Sequence, residues 1–175
     1  MLKPGDPAPK WHLPCVFDGR ISRLSLDSIR SEMVVLFFYP HDFSFICPTE
    51  VAGFHKAQPA FGQEQTSIVG ISTDDSETHL RWIRELGGIS YPLVADEGGI
   101  LASQYGVLME AEKVALRATF ILDSSRTVAY SVASAVNVGR SVSETLRVVR
   151  ALRSGRLCPA DWQPGVEFGP SDGKF

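Results

Sequence analysis

An α/β chain, with a mixed central sheet covered by helices and an extended C-terminal arm, follows from three features of this sequence. Apolar runs of strand length alternate with segments of helical periodicity. Two late strands are separated only by a turn of hairpin length. After Gly155, prolines and glycines interrupt any regular pattern. Alternating units, then a hairpin and a closing helix, predict a sheet that is mixed rather than purely parallel.

The elements follow in order. After a Pro-rich lead, residues 21–26 read as a short strand. Residues 33–39 are a continuous apolar run with the β-branched and aromatic content of a buried strand, and Pro40 ends it. Val51, Phe54, His55 and Gln58 recur at helical spacing and predict a helix over 48–61, where Pro48 is tolerated because first-turn amides lack intrahelical acceptors. Residues 67–72 predict a strand and 76–86 a helix, capped by Asp74 or Asp75 and stopped by Gly87-Gly88. Residues 93–95 form a brief strand and 100–105 a short helix. Strands over 118–122 and 128–133 flank the turn Asp123-Ser124-Ser125-Arg126. The last helix, 143–152, places Leu146, Val149 and Leu152 on one face.

With 175 residues and 44% hydrophobic content, the chain can bury a core within one domain, taken as 1–155, with 156–175 as the arm. A net charge of −3 disfavours nucleic acid as a partner. The longest apolar run is far below the about 18 residues of a membrane span. Residues 1–7 contain no apolar signal region, so a cytoplasmic location is expected. Three cysteines there suggest catalysis or a transient bridge rather than a disulfide framework.

One cysteine is singled out by its context, Phe38-Tyr39-Pro40-His41-Asp42-Phe43-Ser44-Phe45-Ile46-Cys47-Pro48-Thr49-Glu50. Cys47 falls where a strand gives way to a helix, facing unpaired amides and the positive end of a helix dipole. Both favour thiolate. The stretch resembles, almost residue for residue, the peroxidatic-cysteine motif of the typical two-cysteine peroxiredoxins, the group that includes the bacterial alkyl hydroperoxide reductase peroxidase subunit. Pro40, Ser44 and Cys47 meet its pattern of Pro, three residues, Thr or Ser, two residues, Cys. His41 departs from it, standing where small or apolar residues are common.

The same resemblance extends along nearly the whole chain and implies a thioredoxin-like fold. Leu157-Cys158-Pro159-Ala160-Asp161-Trp162-Gln163-Pro164-Gly165 is similar to the resolving-cysteine segment. Cys47 and Cys158 are no CxxC pair, so a bridge between them joins distant segments or different subunits; the resemblance implies the partner subunit. Arg117, in Leu116-Arg117-Ala118-Thr119, and Arg140, in Val138-Gly139-Arg140-Ser141, match family arginines near the peroxidatic sulfur. Glu50 matches a carboxylate that steadies such an arginine. Trp82 matches an aromatic lining the site, and a core tryptophan accounts for it equally well. Without the family, each arginine reads as a solvated surface charge.

What the resemblance implies is a thiol-dependent peroxidase acting on hydrogen peroxide or alkyl hydroperoxides. Cys47 would become a sulfenic acid, condense with Cys158, and be recycled by a thioredoxin-like or flavoprotein dithiol donor. A symmetric dimer would be the smallest competent unit, and relatives often assemble dimers into rings. Sensitive relatives slow unwinding of the cysteine turn with a C-terminal Tyr-Phe pair beside a Gly-Gly-Leu-Gly loop. Here the loop reads Gly87-Gly88-Ile89-Ser90, no Tyr-Phe pair follows Gly165, and a lone Phe175 is a poor clamp. Resistance to excess peroxide is therefore expected.

Other chemistries find less support. The histidines 12, 41, 55 and 79 share no ligand spacing with one another or with a cysteine, so no metal is expected. Cys15 has apolar neighbours and no helix start, the setting of a small core or near-surface residue. Phosphate-loop, dinucleotide, haem and flavin motifs are absent, so no cofactor is expected. A thioredoxin-type reductase would need a CxxC pair. A Cys–His hydrolase would need His41 close to Cys47, and a holdase role remains open beside the peroxidase one.

Overall fold

The computed structural model describes residues 1–170. The chain order is β1 (His12–Phe17), β2 (Arg20–Ser25), β3 (Met33–Phe38), α1 (Cys47–Gln63), β4 (Thr66–Ser72), α2 (Ser76–Glu85), β5 (Leu93–Ala95), α3 (Ile100–Gln104), β6 (Leu108–Met109), β7 (Val114–Ala115), β8 (Arg117–Leu122), β9 (Val128–Ser134) and α4 (Val142–Ser154). Seven strands form one sheet in the order β2-β1-β5-β4-β3-β8-β9, and β6 pairs with β7 separately. β3–β4 and β4–β5 are parallel, whereas β8 is antiparallel to both β3 and β9. The sheet is mixed, as the alternation and the hairpin predict.

Every residue of β3 is buried because both of its faces are covered. Val34, Leu36 and Phe38 pack with Trp11, Tyr105 and Phe120 on one side. Val35 and Phe37 pack with Phe54 of α1, Ile83 of α2 and Val149 of α4 on the other. That two-sided burial is why the run is continuous rather than alternating. Gly70 of β4 sits directly between Phe37 and Leu93 in register, and a Cβ there would come within 2.5 Å of the Leu93 side chain. Its bare backbone leaves room for the Phe37 ring to stack on Phe54, centroids 4.4 Å apart.

The helix boundaries follow local chemistry. Asp75, one of the two expected caps, accepts from the Thr78 amide at 2.7 Å, while Asp74 turns towards Ser72. Gly87 and Gly88 at φ 80° and 100° close the far end of α2. α1 starts at Cys47 itself and runs through Pro59 to Gln63. Ser141 caps α4 through the Glu144 amide, and Gly155 at φ 61° ends it.

Two features depart from expectation. β1 forms within the lead, because its edges pair with β2 and β5 although Pro14 argues against a strand there. The β6–β7 hairpin has strands of two residues each, too short for any periodic pattern. Beyond Gly155 the described residues contain no helix or strand, yet they are docked. Trp162 is buried, its ring stacks on Phe168, and its carbonyl accepts from Arg147 at 3.0 Å. Phe175 lies outside the described residues. Among those described, no helix is long and apolar enough to cross a membrane.

Candidate active site

The site forms where β3 runs out. Tyr39 and Pro40 are buried, residues 41–46 turn, and α1 begins at Cys47. Phe43 takes a left-handed φ of 53° inside this turn. Ser44 Oγ accepts the Cys47 amide at 3.3 Å and donates to the His41 carbonyl at the same distance, closing the turn on itself. His41 is exposed, and among the described residues its ring makes no hydrogen bond, so no Cys–His dyad is assembled.

β8 lies antiparallel to β3 with Ala118 opposite Phe38, which brings Arg117 to the level of the turn. Its Nη1 donates to Cys47 Sγ at 3.2 Å, across 70 residues of chain. The same Nη1 donates to Glu50 Oε2 at 2.8 Å, and Nε to the Val136 carbonyl at 2.7 Å, so the guanidinium is held on two sides. Glu50 follows Cys47 by three residues and shares its helix face. Arg140 completes the cluster: its amide and Nε donate to Glu50 Oε1 at 2.8 and 3.0 Å, and Nη2 to the Phe38 carbonyl at 2.6 Å. Side chains of Arg117, Glu50 and Arg140 are 4%, 2% and 7% exposed. Burial pulls the Arg140 guanidinium below its ordinary value, and Glu50 pulls it back. Two guanidinium groups and one carboxylate leave one positive charge, placed against the sulfur, where it stabilises an anion.

Removing the carboxylate from this cluster should be costly. Glu50→Gln puts an amide N–H₂ among guanidinium donors and is expected to lower stability by about 3–5 kcal/mol, read from urea unfolding of the reduced protein. A loss no larger than that of an ordinary surface substitution would mean that the cluster relaxes without Glu50.

Trp82 is 2% exposed and packs on Tyr39 and Phe43, centroids 5.9 and 6.3 Å away. It is therefore a core residue that also touches the turn. Cys15, Cys47 and Cys158 are all free thiols. Cys15 is buried in β1, 3.4 Å from Ser22 Oγ, and burial pushes its thiol up against the opposing pull of that contact. Cys158 sits beside the end of α4, its sulfur 3.6 Å from Ser154 Oγ, and lines a cavity with Tyr130 and Asp161. α4 runs alongside α1: Arg140, just before it, meets Glu50 near the start of α1, and Arg150 meets Glu64 at its end, 3.0 Å. Cys158, packed against Ala151 and Ser154 in the last turns of α4, thus lies towards the end of α1 remote from Cys47. One buried pair escaped the sequence reading altogether. Asp42 and His79 meet at 2.7 Å beneath the turn, 37 residues apart and without a motif to join them.

A mixed sheet backed by helices, with a thiol at a helix start under a guanidinium, is the build of a thioredoxin-like protein with cysteine chemistry. Residues 4–131 match the model of the AhpC/TSA family. Peroxiredoxin-2 of Bos taurus is 39% identical over 93% of this chain and 87% of its own. Among solved structures, the reduced 2-Cys peroxiredoxin of Plasmodium vivax superposes with a TM-score of 0.90 at 32% identity, covering 96% of this chain and 93% of that one. AhpC of Mycobacterium tuberculosis gives 0.85 at 33% identity, covering 93% and 99%. The chain belongs to the AhpC/TSA family of peroxiredoxins. It is a thiol-dependent peroxidase, an oxidoreductase acting on peroxide, with the thioredoxin-like fold.

Proposed function

We propose that Cys47 is the peroxidatic thiol and Cys158 of a partner subunit its resolving thiol. The observation that carries the first assignment is the Arg117 Nη1 to Cys47 Sγ contact of 3.2 Å, backed by Glu50. The thiolate attacks the terminal oxygen of hydrogen peroxide or an alkyl hydroperoxide. The O–O bond breaks, the sulfur loses two electrons and becomes a sulfenic acid, and the departing alkoxide or hydroxide takes up a proton. Arg117 carries the negative charge that develops on the peroxide. Pro40 and Ser44 shape the turn, Ser44 by holding the Cys47 amide and by presenting its hydroxyl to the peroxide oxygens. Arg140 holds Glu50, which holds Arg117, and Trp82 walls the turn.

The Cys158 thiol then condenses with the sulfenic acid, releasing water and leaving a disulfide. A disulfide needs Cα atoms within about 7 Å. The separation along α1 favours a bridge between subunits over one within a chain, which makes a homodimer the minimal unit and a ring of dimers the larger assembly. A thioredoxin-like or flavoprotein disulfide reductase returns both thiols. Three free thiols suit the cytoplasm. Residues 1–155 form the peroxidase domain and 156–175 the arm that carries Cys158.

Peroxide treatment is expected to convert the reduced protein to a disulfide-linked dimer, with a Cys47–Cys158 peptide on mapping. Cys158→Ser should remove the dimer band and stop recycling by a protein dithiol while leaving the first oxidation intact. An intramolecular bridge in a monomeric band would overturn the subunit assignment.

A further inference from the structure

The chemistry above engages the Cys47 end of the turn and leaves unused the polar cluster buried under its other end. Asp42 belongs to the turn, and its side chain and that of His79 are both fully covered. Asp42 Oδ2 lies 2.7 Å from His79 Nδ1, and Oδ1 accepts the Tyr39 hydroxyl at 2.9 Å. The second ring nitrogen, Nε2, faces the Val94 carbonyl of β5 at 3.3 Å. Both ring nitrogens face acceptors, so the pair is complete only with a proton in each contact. One proton goes to Val94. The other is shared with Asp42, as imidazolium against carboxylate or as a neutral ring accepting from the acid. Burial pushes the Asp42 carboxyl up, against the opposing pull of its bond to His79. Asp74 fastens the backbone of the same residue: its Oδ2 accepts the Asp42 amide at 2.9 Å and the Ser72 hydroxyl at 2.7 Å.

The residues that follow are held far less firmly. Phe43 has a left-handed φ of 53° and is half exposed, Phe45 is 94% exposed, and both Ser44 contacts are long, 3.3 Å. Cys47 has to leave its buried place for a bond to Cys158 to form. A segment with few buried contacts opens first, and opening halts where buried hydrogen bonds accumulate.

We propose that Asp42 and His79 are positioning residues that set the point where the active-site turn stops unwinding, and with it the partition of oxidised Cys47 between disulfide and sulfinic acid. The proposal rests on the roles given above to Cys47 and Cys158. With the pair intact, unwinding involves residues 43–47, and β4, β5 and α2 hold Asp42 in place. The closed turn then stays populated and reacts quickly with peroxide. A broken pair lets the opening spread back through Asp42 and favours the open turn.

The test uses the reduced full-length enzyme. His79→Leu removes the bond to Asp42, whereas His79→Asn places an amide N–H₂ near the position of Nδ1 and keeps a donor. His79→Leu is expected to slow the second-order reaction with hydrogen peroxide about tenfold, and to lower the sulfinic acid formed on Cys47 per turnover by a comparable factor. His79→Asn should fall between this and wild type. Asp42→Asn combined with His79→Leu should do no more than either alone, because the two act as a unit. Asp96→Asn is the control, a buried carboxylate that accepts the Leu101 and Ala102 amides of α3 at 2.9 and 2.7 Å. It should lower the melting temperature without moving the partition. A partition unchanged in His79→Leu, or moved equally by Asp96→Asn, overturns the proposal. Mass spectrometry reads Cys47 directly: failure of wild-type Cys47 to oxidise would defeat the site assignment as well, whereas oxidation with an unmoved partition defeats the positioning role alone. Hydrogen exchange on wild type needs no variant to fold. On going from dithiol to disulfide, the amides of Cys47, Thr49 and Glu50, bonded to Ser44 Oγ and the Ile46 carbonyl, should lose protection while that of Asp42, bonded to Asp74, keeps it; loss at Asp42 together with these amides overturns the proposal.

Discussion

Cys47→Ser is expected to abolish peroxide turnover, while Cys15→Ser leaves it nearly intact. The two thiols are both buried, so exposure does not separate them; their surroundings do. Cys47 opens α1 at the positive end of the helix dipole and has the Arg117 guanidinium at 3.2 Å. Cys15 lies within β1 with only the Ser22 hydroxyl at 3.4 Å, and burial pushes its thiol up, towards the unreactive form. A serine at 47 supplies neither a thiolate nor a sulfur that can take the peroxide oxygen. Stopped-flow mixing of each reduced variant with hydrogen peroxide, followed by steady turnover with a dithiol donor, decides the matter. Peroxide consumption by Cys47→Ser at the wild-type rate would remove Cys47 from its role.

Arg117→Ala is expected to slow sulfenic acid formation by about 100- to 1000-fold, the usual cost of losing a donor aimed at developing charge. The fold should survive this change. Glu50 keeps the Arg140 amide, Nε and Nη2 as donors at 2.8, 3.0 and 3.2 Å, so the buried carboxylate is not orphaned. Arg117→Lys should recover only part of the rate. A single ammonium cannot bond the sulfur, Glu50 and the Val136 carbonyl with the fixed geometry of a guanidinium. Circular dichroism and thermal melts separate rate from folding, and a wild-type second-order rate in Arg117→Ala would exclude the residue from the chemistry.

What the sequence determined by itself is local. The apolar run of β3, the helical spacing of α1, a cap at Asp74 or Asp75 and the stop at Gly87-Gly88 are written in consecutive residues, because periodicity and capping depend on neighbours a few positions away; the fold then chose Asp75. The turn from Pro40 to Cys47 was legible for the same reason, and its motif carried the family and the chemistry. Only the tertiary structure decided which distant groups meet. Arg117 taken alone reads as a solvated charge, yet it is 4% exposed, because antiparallel pairing of β8 with β3 carries it to the cysteine turn. Parallel packing of α4 on α1 places Cys158 at the end of α1 remote from Cys47. β1 forms through a proline because two neighbouring strands supply the pairing. The pairing of Asp42 with His79 carries no local signal, although Asp42 itself stands in the cysteine motif. A buried ionisable pair exists only when long-range packing removes both partners from water at once, and no pattern of neighbouring residues encodes that event.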